Sequence, residues 1–140
     1  MARIRIVASD DVAWRRTDEL VEPATAAVMS RAEREADVRM LHAGADGGLQ
    51  LFEARIAADE TIALHAHAED EIIYVLEGEL RIGRKRLGPG TSLFVAGNTL
   101  YGFSTGSAGV RFLNFRGRAN TSFIPREAFL AGATDGDSAS

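Results

Sequence analysis

The stretch His65-Ala66-His67-Ala68-Glu69-Asp70-Glu71 holds two of the three histidines in this chain of 140 residues. Residues two apart on a β-strand point to the same face, so His65 and His67 can direct two imidazoles to one point. Glu71 keeps the same parity and adds a carboxylate from just past a turn. Two imidazoles and one carboxylate with open coordination positions suit non-haem iron and related divalent metals. The stretch therefore predicts a metal site.

The composition indicates one globular domain. It contains 46% hydrophobic and 26% charged residues and no cysteine, which excludes disulfides and thiolate ligands. A net charge of −4 argues against a nucleic-acid partner, because phosphate binding needs a concentrated basic face. No apolar run reaches the length of a membrane span, and the charged N-terminus is unlike a signal peptide. We expect a cytoplasmic protein without a membrane partner.

From Leu49 onward, short apolar runs alternate with turn residues, a texture that predicts an all-β barrel or sandwich. Turn chemistry is present at Glu77-Gly78 and at Gly88-Pro89-Gly90. A short helix is expected over 124–130, with Pro125 at its start. The runs read as strands are 49–57, 61–67, 71–76, 79–82, 92–95, 100–104 and 110–116.

The residues before the barrel form an N-terminal arm. Residues 3–7 and 37–42 read as strands, and the Ala-, Glu- and Arg-rich stretch 24–36 favours a helix. Trp14 is expected to pack the arm against the barrel. The predicted division is an arm over 1–48, a barrel over 49–131 and a disordered tail rich in Gly, Ser, Asp and Ala over 132–140.

The histidine stretch resembles the first motif of the cupin family, G-x5-H-x-H-x3-E-x6-G. Here it reads Asp59-x5-His65-x-His67-x3-Glu71-x6-Gly78, so that only the opening glycine differs. Asp is well tolerated in turns, and the motif is otherwise complete. The resemblance covers roughly residues 49–115, the part with the strand texture.

The second cupin motif, G-x5-P-x-G-x2-H-x3-N, is degenerate. The matching register is Gly90-x5-Ala96-x-Asn98-x2-Tyr101-x3-Thr105, in which only the first glycine survives. The resemblance implies a small, single-domain cupin of bacterial type. Its fold would be a double-stranded β-helix, or jelly-roll, barrel with an N-terminal arm and a short C-terminal helix.

Tyr101 stands where the family usually supplies a fourth metal ligand, a histidine. Its phenol could bind the metal as phenolate, act beside the metal as general acid or base, or point away and only pack. Thr99, Tyr101 and Phe103 share a face, so an inward Tyr101 would face His65, His67 and Glu71. Tyr101 is therefore both a candidate fourth ligand and the candidate catalytic residue.

The resemblance implies a metal-dependent enzyme that acts on a small organic molecule, by dioxygenase, isomerase, lyase or decarboxylase chemistry. The cofactor would be a divalent transition metal, namely Fe, Mn, Zn or Ni, and substrate would reach its open positions. Two alternatives stay open: a non-catalytic barrel that binds or senses a small molecule, and a structural dimer without a ligand. Cupins commonly pair, which implies a homodimer in every case. Barrel side chains that are candidates for the substrate pocket are Phe52, Phe94, Phe103, Phe112 and Asn114.

Overall fold

The fold is built on an antiparallel sheet of nine strands in the computed structural model, which describes residues 3–45, 47–119 and 122–139. The strands are β1 (Arg15–Arg16), β2 (Asp37–His42), β3 (Gln50–Ile56), β4 (Thr61–Ala66), β5 (Glu71–Ile82), β6 (Lys85–Leu87), β7 (Ser92–Val95), β8 (Tyr101–Arg116) and β9 (Ile124–Pro125). The helices are α1 (Thr17–Leu20), α2 (Pro23–Val28), α3 (Arg31–Glu35) and α4 (Arg126–Ala139). The predicted all-β class is confirmed.

Strand β8 organises the barrel. It pairs with β3 through residues 110–116, with β4 through residues 101–104 and with β5 along both parts. The sheet continues outward from β3 to β2 and β1, from β4 to β9, and from β5 to β6 and β7. Because one long strand has three partners, the sheet curves and encloses an interior.

Gly78 explains why two predicted strands are one. The expected turn at Glu77-Gly78 is wrong, since β5 runs unbroken from residue 71 to residue 82. Gly78 has φ +76°, and a Cβ there would lie 2.1 Å from the carbonyl oxygen of Gly109. Such a position needs glycine, as a turn does, but here it forms a bulge in a paired strand. The runs 100–104 and 110–116, predicted as two strands, likewise lie on the single strand β8, apart from Leu100.

Alternation along β5 sets the interior face. Ile73 and Val75 are 1% and 0% exposed, whereas Ile72 and Tyr74 are 41% and 44% exposed. Side chains two apart share a face, so Glu71 points to the same interior as Ile73 and Val75. The parity argument thus brings the end of the histidine motif into the barrel.

The N-terminal arm follows the prediction only in part. Strand β2 confirms the expected strand over 37–42, and the helical stretch 24–36 is present as two helices, α2 and α3, separated by an extended Met29. The strand expected over 3–7 is wrong. Ile4 and Ile6 are 80% and 92% exposed, and alternation alone does not make a strand where no strand edge within the described chain pairs with it.

Trp14 attaches the arm to the barrel, as predicted. The guanidinium carbons of Arg39 on β2 and Arg55 on β3 lie 4.3 Å and 4.2 Å from its ring centroid, within cation–π distance. The segment around Trp14 therefore crosses the outer face of β2 and β3 before α1 begins.

Helix α4 spans Arg126–Ala139 and is longer than the helix expected over 124–130. The predicted disordered tail, 132–140, overlaps the last part of this helix and Ser140, which lies outside the described residues. The division into arm, barrel and tail stays a prediction. In the described ranges, no helix is long and apolar enough to cross a membrane.

Candidate functional site

His65 and His67 come together at the end of β4. Their ring centroids are 4.9 Å apart, and His65 is only 3% exposed. Nδ1 of His65 lies 2.8 Å from the carbonyl oxygen of Ala63, and Nδ1 of His67 lies 2.7 Å from that of Ser122. A carbonyl oxygen only accepts, so Nδ1 carries the hydrogen in each neutral ring and Nε2 has a lone pair. With this lone pair, Nε2 of each histidine could bind a metal or act as a general base.

Both imidazoles are neutral at neutral pH. Burial lowers the pKa of His65 from its ordinary value. Burial also lowers the pKa of His67, to about 4, and the positive charge of Arg116 acts in the same direction. The site therefore contains two neutral imidazoles, each of which can accept a proton at Nε2.

Glu71 is surrounded by hydrogen-bond donors. It is 2% exposed, and the hydroxyl of Tyr101 donates to its Oε1. Nε and Nη2 of Arg116 donate to Oε2 at 3.0 Å and 2.7 Å, and Nδ2 of Asn114 donates to the same oxygen at 3.2 Å. Burial raises the pKa of Glu71, but the charge of Arg116 and these hydrogen bonds outweigh it and hold the pKa below its ordinary value. Glu71 is thus a carboxylate.

Tyr101 points inward, so the predicted alternative in which it points away is wrong. It is 9% exposed, and its ring centroid lies 4.8 Å from that of His65. Burial and the negative charge of Glu71 raise the pKa of Tyr101 far above its ordinary value, which keeps the phenol protonated. A phenolate ligand does not fit these surroundings, whereas a hydrogen-bond donor does.

The predicted metal centre does not fit this arrangement. Both oxygens of Glu71 accept hydrogen bonds, and the Arg116 guanidinium brings a permanent positive charge to the position beside the two imidazoles. Catalytic metal sites commonly use three protein ligands, and two imidazoles alone fall short of that. Within the described part of the chain, no group of three or more His, Cys, Asp or Glu side chains is placed to hold a metal ion.

Glu33 is a site residue that the sequence did not reveal. It comes from α3 in the arm, and its Oε1 lies 3.8 Å from Nδ1 of His65. Burial raises the pKa of Glu33 to about 8, and the negative charge of Glu71 adds to this rise. Its neighbour Glu35 in the same helix is exposed and paired with Arg31, and nothing in the sequence distinguishes the two glutamates. Glu33, whose side chain is 17% exposed, is therefore a largely buried acid that holds its proton at neutral pH.

Arg116 was also missed, although a signal for it existed. Phe112, Asn114 and Arg116 are two apart on β8, and the register places Arg116 directly opposite Glu71 on β5. The inward parity of Asn114, which was a candidate, extends to Arg116. The same parity places Arg116, which is 8% exposed, next to the buried Glu71.

The barrel encloses a cavity of about 470 Å³. His65, His67, Tyr101 and Arg116 lie at its polar end, and the arm contributes Leu20, Val21, Met29 and Glu33 to its wall. Four of the predicted pocket residues line it: Phe52, Phe103, Phe112 and Asn114.

Phe94, the fifth predicted pocket residue, does not line the cavity. It is 62% exposed on β7, where it pairs with the outward-facing Ile72 of β5. The register therefore places it on the outer face, so its assignment to the pocket is wrong.

No protein-family model matches the sequence, and no curated protein does so either. Among solved structures, the polyketide cyclase RemF from Streptomyces resistomycificus is 25% identical, with a TM-score of 0.66 over 88% of this chain and 85% of that one. KdgF from Halomonas sp. is 17% identical, with a TM-score of 0.61 over 81% of this chain and 94% of that one. An RmlC-like cupin from Shewanella frigidimarina is 23% identical, with a TM-score of 0.51 over 59% and 76%.

Proposed function

This chain belongs to the cupin superfamily and has its jelly-roll barrel, as the resemblance implied, and on that premise we propose that it is an enzyme that transfers protons on a small organic molecule. The observation that carries the proposal is the pairing of neutral imidazoles with a buried, protonated carboxyl at one end of an apolar cavity. Of the reaction classes that the resemblance implies, this favours isomerase and lyase chemistry, and an intramolecular cyclisation needs the same proton transfers.

His65 is proposed as the base. Its Nε2 has a lone pair because Nδ1 donates to Ala63, and it can accept a proton from an acidic carbon of the substrate. The negative charge of Glu71 favours the imidazolium that results. Arg116 and the Tyr101 hydroxyl keep Glu71 ionised for this purpose, so both act through Glu71.

Glu33 is proposed as the acid that gives its own proton to another atom of the substrate, while the proton taken from carbon stays on His65. A group with a pKa of about 8 is protonated at neutral pH and gives up its proton more readily than the phenol of Tyr101, whose pKa is raised far above its ordinary value. Its Oε1 lies 3.8 Å from Nδ1 of His65, and both side chains line the same cavity, so acid and base can face one bound substrate. A matched acid and base close to neutral pH are what proton-transfer catalysis requires.

The likeness to a polyketide cyclase supports the proposal. RemF is a polyketide cyclase, and the match covers most of both chains. KdgF and the RmlC-like cupin are less than 25% identical and support the fold alone.

We also propose a homodimer. Ile4 and Ile6 are 80% and 92% exposed, Val7 is 37% exposed, and the segment pairs with no strand in the described chain. A row of exposed β-branched side chains is suited to cover by a second copy. Light scattering of the purified protein should give twice the chain mass, and Ile6→Lys should halve it. A wild-type monomer at micromolar concentration contradicts this proposal.

The function can be tested by hydrogen exchange in deuterated buffer. A panel of aromatic ketones that includes 2-tetralone is incubated with the protein, and loss of the α-proton signals is followed by NMR. We expect at least one ketone to exchange tenfold faster than in buffer. The acceleration should vanish in His65→Gln and Glu33→Gln, and it should persist in Tyr74→Phe, whose ring lies on the outer face.

Treatment with a chelator distinguishes the proposal from the predicted metal enzyme. Exchange that survives the chelator and the removal of oxygen supports side-chain chemistry. Exchange that needs an added divalent metal, or consumption of oxygen, overturns it in favour of a metal enzyme. Ligand uptake without any exchange overturns it in favour of a binding barrel.

A further inference from the structure

Two buried amide oxygens at the cavity have no hydrogen-bond partner among the described residues. They are Oε1 of Gln50 on β3 and Oδ1 of Asn114 on β8. Gln50 is 6% exposed and Asn114 is 3% exposed, and both residues line the cavity. An acceptor that is buried without a partner is costly and uncommon in folded proteins. The pair therefore calls for an explanation.

The orientation of each amide is fixed by its other end. Nε2 of Gln50 donates to the carbonyl oxygen of Ala43 at 3.2 Å, and Nδ2 of Asn114 donates to Oε2 of Glu71 at 3.2 Å. A carbonyl and a carboxylate can only accept, so turning either amide around would set oxygen against oxygen. Both unpartnered groups are thus acceptors, and whatever satisfies them must donate.

The two acceptors lie close enough for one ligand to reach both. In the β3–β8 pairing, Gln50 is opposite Arg116 and Phe52 is opposite Asn114, so Gln50 and Asn114 are diagonal neighbours on the inner face. Diagonal neighbours in an antiparallel pair are roughly 7 Å apart. The ring of Phe52 lies next to Gln50 along the same face of β3 and supplies an apolar contact.

We propose that the cavity takes an uncharged aromatic molecule that carries two hydroxyl groups, which donate to Gln50 and Asn114. Phe52, Phe103 and Phe112 line the cavity and would contact the rings of such a molecule. Acceptor oxygens select against a ligand whose hydroxyls are methylated, because an ether oxygen cannot donate and leaves both amides unsatisfied. This inference names the substrate class of the proposed function and rests on it for the identity of the site.

The test compares two probes of nearly the same shape by isothermal titration calorimetry on the full chain. They are 1,3-dihydroxynaphthalene, with two donors, and 1,3-dimethoxynaphthalene, with none. We expect the dihydroxy probe to bind at least tenfold more tightly. In Gln50→Met and in Asn114→Leu the ratio should fall toward one through loss of dihydroxy binding alone. Phe52→Leu should weaken both probes alike and keep the ratio.

The results separate this inference from the proposed function. Equal binding of the two probes overturns the inference, and it indicates that buried water satisfies the amides, while hydrogen exchange on ketones still stands as a separate measurement. Selective binding in a protein that catalyses no exchange supports the donor-selective cavity and leaves the proposed catalysis contradicted. A variant that no longer folds is replaced by Gln50→Asn, whose side chain is one methylene shorter and withdraws the acceptor from the ligand, so that dihydroxy binding should fall by at least tenfold.

Discussion

Arg116 and Glu71 face each other across β8 and β5 and form a buried ion pair, in which two nitrogens of the guanidinium contact one carboxylate oxygen at 2.7 Å and 3.0 Å. The pair stands where the sequence predicts a bond between a metal ion and that carboxylate. A fixed cation on the protein thus holds the charge that a metal would otherwise hold. Several consequences for stability can be measured without knowing the substrate.

Arg116→Met should destabilise the protein most at neutral pH. In the wild type the pKa of Glu71 is lowered, so its contribution to stability is present above its ordinary value of 4.5 and is lost as the pH falls below it. Without Arg116, burial raises the pKa, and the carboxylate becomes an unpaired buried charge. We expect a loss of roughly 3–5 kcal/mol at pH 7 and a smaller loss at pH 4, from urea unfolding.

Arg118→Met is the matched control for this variant. Arg118 pairs with Glu69 on the surface and is 67% exposed at its side chain. A surface pair contributes little to stability, so the control should change little at either pH. A pH-independent loss in Arg116→Met would contradict the coupling to Glu71.

Glu33→Gln should change how stability depends on pH. The pKa of Glu33 is raised from 4.5 to about 8 in the folded protein, so its contribution is complete below pH 4.5 and is lost as the pH rises through 8. Relative to Glu33→Gln, the unfolding free energy of the wild type should fall between these values by up to about 1.4 kcal/mol per pH unit. Parallel pH profiles for the two proteins would refute a buried, protonated Glu33, and Glu35→Gln serves as the exposed control.

Tyr101→Phe should weaken the hydrogen bonding of Glu71 without opening a cavity. The phenylalanine keeps the buried ring, but Oε1 of Glu71 loses its donor. We expect a loss of roughly 1–3 kcal/mol in unfolding free energy and slower hydrogen exchange on the ketone substrate, with no change in divalent metal content. Tyr74→Phe, on the exposed face of β5, should leave all three unchanged. A fall in metal content only in Tyr101→Phe would restore the ligand role.

Gly78→Ala should prevent the barrel from closing properly. A Cβ at this position meets the carbonyl oxygen of Gly109 at 2.1 Å, and φ is +76°. Gly83 also has a positive φ, +57°, but a Cβ there meets nothing within 4 Å. We expect Gly83→Ala to cost about 1 kcal/mol and Gly78→Ala several times more, or to leave no folded protein, as followed by circular dichroism on heating. Equal melting temperatures would contradict the account of the bulge.

The parts of the site that follow from strand parity could be predicted. His65, His67 and Tyr101 lie where alternation places them, and the same rule reaches Arg116 once Asn114 is taken as inward. Phe94 was misplaced because parity on β7 depends on its register with β5, which a sequence alone does not fix.

Glu33 shows what local patterns cannot supply. Its role depends on how α3 packs over the open side of the barrel, a contact between elements that are separated by a turn and two strands. For Gly78 the sequence contained a signal, but the signal was ambiguous. Gly78 carried a clear signal for positive φ, but turns and bulges need the same backbone, so the signal did not distinguish them.

The buried ion pair also determines the overall electrical state of the barrel interior. One carboxylate and one guanidinium cancel, the two imidazoles are uncharged, and Tyr101 and Glu33 hold their protons at neutral pH. An uncharged ligand therefore binds without uptake or release of a counter-ion. Its affinity should be nearly independent of ionic strength, which separates this interior from barrels that capture their ligands by long-range attraction.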